Sequence, residues 1–151
     1  MLKFRCFPAV SLILLAATTS VSATTLMRKS TVPGFVMQEF SLYTTCTLDD
    51  KGIVTTTNQL NGLISSKAAS VHVSVESLKD AITEAALGII KKPALQIADM
   101  PVTTYVAYQK LDDVRLKRVF LYEDNGNQDN STYNESSKAL MLRNFMDALC
   151  K

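Results

Sequence analysis

From Phe40 the chain alternates. Phe40, Leu42, Cys46 and Leu48 fall on one side, and Ser41, Tyr43, Thr45 and Thr47 on the other. A period of two, carried by β-branched and aromatic residues, predicts a strand. Asp49-Asp50-Lys51-Gly52 predicts a turn in which Gly52 is free to take a positive φ, and IVTTT (53–57) returns as a second strand. The polar, glycine-containing stretch 58–70 reads as a loop, and SVHVSV (70–75) as a short strand or the approach to a helix.

The period then changes. In ESLKDAITEAALGIIKKP, Leu78, Ala81, Ile82, Ala85, Ala86, Ile89 and Ile90 recur at the i, i+3, i+4, i+7 spacing of an amphipathic helix. Glu76 and Asp80 near its start, and Lys91 and Lys92 at its end, suit the helix dipole. Pro93 prevents continuation. VTTYVAYQ (102–109) and LKRVFLYE (116–123) predict a second hairpin, turned by KLDDVR, and EDNGNQDNST is a polar loop. A last helix is expected from Thr132, where Thr132 and Glu135 fit a capping box. Its buried stripe would be Ala139, Leu142, Phe145, Met146, Leu149 and Cys150. The order is β-β-(β)-α-β-β-α. The expected fold is α+β, an antiparallel sheet of four or five strands with two helices packed on one face.

The N-terminus follows another logic. Lys3 and Arg5 are succeeded by an apolar run to Ala17, then by a small, polar stretch ending Val21-Ser22-Ala23. That is the pattern of a secretory signal peptide, residues 1–23, cleaved after Ala23. The run is too short for a spanning helix, which needs about 20 apolar residues. Cys6 lies in the charged head, away from the cleavage site, so no lipid anchor is expected. Residues 24–34 read as a flexible lead-in, and 35–151 as a single α+β domain. The compact leader points to a bacterial envelope, and the expected location is periplasmic or secreted, without stable membrane insertion.

Cleavage also changes the charge. The chain has 16 basic and 14 acidic residues, and the leader takes two basic residues with it. The balance becomes neutral, which argues against charge-driven binding to nucleic acid or anionic membrane.

Two cysteines remain, Cys46 and Cys150, one on the apolar face of its strand and one on the apolar face of its helix. In an exported protein they read as one disulfide. Closing a loop of about 100 residues stabilises the fold by roughly 4–5 kcal/mol in the chain-entropy model. The terminal cysteine is then a clamp on the last helix. Redox chemistry would want a CxxC pair or a cysteine in an activating basic setting, and no CxxC occurs.

No catalytic residue, metal ligand or cofactor site is assigned. His72 is the only histidine, and no GxSxG, HExxH, P-loop or GxGxxG occurs. Asp49-Asp50 and Asp112-Asp113 fall in predicted turns, where aspartate ordinarily caps backbone. EDNGNQDN has its glycine too early for a calcium loop. Asn130 and Asn134 sit in N-x-[ST] patterns.

What remains is a sheet face left open by the helices, with Tyr43, Thr45, Thr47, Thr103 and Tyr105 as its expected interaction surface. The leading expectation is a non-enzymatic binding or assembly factor acting through contact with another envelope or extracellular protein. Two alternatives stand beside it: a secreted hydrolase-like effector using acidic residues, and a proteinaceous enzyme inhibitor that inserts the loop 123–131.

Overall fold

The computed structural model describes residues 23–93, 99–112, 115–126 and 130–151. The expected signal peptide therefore lies outside the described residues, apart from Ala23.

Among the described residues the sheet has eight strands, not four or five, and strand outweighs helix about two to one. In chain order these are β1 (Thr25–Val32), β2 (Leu42–Asp49), β3 (Ile53–Leu60), β4 (Leu63–Ser70), helix α1 (Val75–Ala85), β5 (Ile90–Lys91), β6 (Val102–Lys110), β7 (Leu116–Asp124), β8 (Thr132–Asn134) and helix α2 (Ser137–Leu149). All neighbours pair antiparallel, in the order β4-β3-β2-β1-β6-β7-β8-β5.

Each added strand has a physical reason. The segment expected as a lead-in, 24–34, supplies β1 at the centre of the sheet, between β2 and β6. Its alternation is masked because Arg28 and Lys29 are adjacent, and because an irregularity at its start buries both Leu26 and Met27. The expected loop 58–70 is the end of β3, a tight turn and β4. Asn61 and Gly62 have φ of 49° and 78°, the left-handed pair of a two-residue hairpin turn. β4 shows no alternation because it buries neither face.

The helices are shorter than their patterns. Ser74 caps α1, its Oγ accepting from Ser77 N at 3.3 Å. The helix stops at Ala85, and Gly88 lets the chain pass so close to Asn134 that a Cβ there would strike its Oδ1. Ile90 and Lys91 then become β5. α2 begins at Ser137, capped by Ser136, so the proposed capping box Thr132/Glu135 does not form: Thr132 is a strand residue paired with Glu123.

Both helices pack against each other and chiefly against β6, β7 and β1. Met27, Leu48, Ile82, Leu121, Leu142 and Met146 are the large side chains fully enclosed there. Cys46 and Cys150 are disulfide-bonded, with Cα atoms 6.0 Å apart, and join β2 to the residue after α2. Among the described residues no helix is long and apolar enough to cross a membrane.

Candidate functional site

Register divides the expected interaction surface. Lys29 pairs with both Cys46 and Tyr105, so these three share the face on which α2 lies. Thr103 joins that face through Thr31, whose hydroxyl is 3.0 Å from its own. Tyr43, Thr45 and Thr47 point the other way, Thr45 in line with Ser30 and Thr104, and Thr47 with Arg28 and Val106. The five residues do not form one surface.

Tyr105 is instead a buried anchor for α2. Its hydroxyl donates to Asp147 Oδ1 at 2.6 Å, and Lys29 Nζ donates to the same oxygen at 2.7 Å. The Arg143 guanidinium lies 3.6 Å from the centre of the Tyr122 ring and 5.9 Å from that of Tyr105, a stacked cation–π arrangement. Its buried Nε has no hydrogen-bond partner among the described residues. Tyr122 in turn contacts Ser131 Oγ at 2.7 Å.

The titration of this cluster describes its role. Burial, then the bond to Asp147 and that carboxylate's charge, push the Tyr105 hydroxyl well above its ordinary value. Burial alone would raise Asp147, but the hydrogen bonds from Lys29 and Tyr105 and the charges of Lys29 and Arg143 outweigh it and hold the carboxyl below its ordinary value. A general acid or base works best with a pKa near the operating pH. Both shifts move away from neutrality, so the pair is a fixed donor and a fixed acceptor.

Three of the four aspartates in the predicted turns, Asp49, Asp50 and Asp112, accept hydrogen bonds there. Asp49 Oδ1 accepts from the backbone N–H of Lys51 (2.9 Å) and Ile53 (2.8 Å). Asp50 Oδ1 accepts from Thr24 N at 2.9 Å. Asp112 accepts from Arg115 through its backbone N (2.8 Å) and its Nε (2.6 Å). Asp113 lies outside the described residues, as does the tip of the loop 123–131, residues 127–129. His72 is exposed in the connection before α1. Asn130 and Asn134 are buried, and Asn134 Nδ2 is occupied by the carbonyls of Ala85 and Phe120.

The surface that stands out lies at one end of the sheet. Leu42, Leu60 and Leu63 are in register across β2, β3 and β4, and all three are exposed. On the reverse of the same strand ends, Tyr43, Gln59 and Ile64 form a second row. In the chain entering β2, Phe40 is 67% exposed two residues before Leu42, while the exposed Phe35 lies towards the start of β6, its N–H donating to Asp99 O. Helices α1 and α2 leave this end bare. An exposed apolar row of this kind is a candidate contact surface. Sequence reading missed it, although Leu-Asn-Gly-Leu at 60–63 carries the signal: a tight-turn dipeptide flanked by two leucines places both side chains on one face.

The chain matches no known family model, no curated protein and no solved structure.

Proposed function

We propose that this protein is an exported, disulfide-locked, non-enzymatic binding or assembly factor. It acts in the periplasm or outside the cell, and it grips another exported protein through the apolar end of β2, β3 and β4. The observation that carries the reading is the exposed row Leu42, Leu60 and Leu63, with the exposed Phe40 two residues before Leu42. Such a surface suits a partner with a complementary apolar face, since burying it recovers about 25 cal/mol per Å².

Two further observations support export. The Cys46–Cys150 disulfide is consistent with an oxidising compartment. Thr24 N already lies 2.9 Å from Asp50 Oδ1, so cleavage after Ala23 sets the new ammonium against a carboxylate.

The test is site-specific photocrosslinking from the mature protein in its own envelope and secreted fractions. Probes at Leu60 and Leu42 are expected to attach to one protein at a fixed ratio, while a probe at Thr83, exposed on α1, attaches to none. The double variant L60E/L63E is expected to abolish capture with the disulfide intact. Equal labelling from all three positions, or capture unchanged in the variant, would sink the proposal.

A further inference from the structure

The two edges of the sheet are built differently. On one side β5 has two residues, with Pro93 two positions beyond it. That is a blunted edge, since proline cannot extend the ladder. On the other side β4 presents eight exposed residues, LISSKAAS, in unbroken register with β3. It has no proline and no bulge, and it carries a single charge, Lys67.

The hydrogen-bonding groups of this edge can be assigned. The two-residue turn at Asn61-Gly62 makes Leu60 and Leu63 the first pair to exchange backbone bonds. At the far end Val71 N donates to Gly52 O at 2.9 Å, which keeps the same parity. Leu63, Ser65, Lys67 and Ala69 therefore turn their N–H and C=O groups towards β3, and Ile64, Ser66, Ala68 and Ser70 turn theirs outward.

We infer that β4 pairs antiparallel with β4 of a second copy, about a two-fold axis through Ser66. A two-fold axis normal to the sheet keeps the helices of both copies on one side, so paired residues must come from the same face. Near the middle of the strand that leaves two centres, Ser66 and Lys67. Centring on Lys67 sets two ammonium groups directly opposite each other, which is unfavourable. Centring on Ser66 sets Lys67 opposite Ser65 of the second copy. It also sets Ile64 over Ala68 and Leu63 over Ala69, large against small in both cases. Ser66 is an outward residue, so this centre brings free backbone groups together: Ser66 exchanges bonds with its copy, and Ile64 with Ala68. The strand is complementary to itself in that register, which distinguishes a second copy from an arbitrary extended segment. The product is a continuous sixteen-stranded sheet, with the two apolar ends at Leu42 and Leu60 displaced to either side of the axis.

The inference is independent of the grip on another exported protein, and the two fail separately: self-association is measured on the purified mature protein alone. Sedimentation equilibrium from micromolar to millimolar protein is expected to show a monomer–dimer equilibrium. Ser66→Cys is expected to form an interchain disulfide on mild oxidation, because residues facing each other in a hydrogen-bonded pair have Cα atoms about 5.5 Å apart. Ala68→Pro is the decisive variant. The Ala68 N–H faces outward, so proline leaves the β3 ladder intact but removes one bond from each half of the dimer. Dissociation is expected to strengthen about tenfold or more, with the Cys46–Cys150 bond and the circular dichroism spectrum unchanged. A monomer throughout the concentration range would overturn the inference, as would a dimer indifferent to Ala68→Pro. So would a monomer whose β4 edge accepts only extended segments of other proteins.

Discussion

Asn134 shows how much one side chain can organise. Its Nδ2 donates to the carbonyls of Ala85 and Phe120, both at 2.9 Å, and its Oδ1 accepts from Ser136 N at 3.0 Å. It thus fastens the end of α1, the middle of β7 and the approach to α2. Asn134→Ala leaves two carbonyls and an N–H without that partner, and is expected to cost about 2–4 kcal/mol in denaturant unfolding. Asp147 gives a different, pH-dependent signature. Its folded pKa lies below the ordinary value, so its contribution is complete above the unfolded pKa of about 3.9 and is lost as pH falls through the folded one. The stability gap between wild type and Asp147→Asn is expected to be constant from neutral pH down to about 5, and to shrink below about pH 4. A gap that widened in acid would show that Asp147 is not held ionised by Lys29 and Tyr105.

Elements were legible where burial writes a period into the chain. β2 buries one face and alternates, β6 and β7 are rich in β-branched and aromatic residues although an irregularity at Tyr105/Val106 interrupts their alternation, and α1 carries Leu78, Ala81, Ile82 and Ala85 at helical spacing. The disulfide was legible too, because Cys46 and Cys150 each lie on an apolar face. β4 was not, since a strand exposed on both faces has no hydrophobic period to read. β1 was obscured by its adjacent basic residues, and β8 by a local capping pattern that tertiary pairing overrode. The exposed apolar end was missed for the same reason as β4: its leucines belong to strand ends whose pairing sets them in line. Among the elements, α2 depends most on a covalent bond, because Cys150 follows its last turn directly. Cys150→Ser is expected to lower stability by up to roughly 4–5 kcal/mol. It is also expected to accelerate amide exchange in residues 146–150 more than in β6. Uniform acceleration would show that the bond acts only on the unfolded chain.

The whole molecule consists of two strand groups, β2 to β4 and β6 to β8 with β5, that meet in the sheet only through β1. The disulfide spans the same division, from β2 to the end of the helix seated on β7. This arrangement sets a timetable. Under the export reading β1 follows the leader and reaches the far side of the membrane first, yet one of its two partners, β6, lies some seventy residues behind it in the chain. The sheet cannot close while that partner is still in transit, and pairing over such distances is slow. The strand nearest the cleavage point thus waits for β6 before it gains its second neighbour. The chain stays threadable until β6 has crossed, and the Cys46–Cys150 bond can form only after α2 has followed.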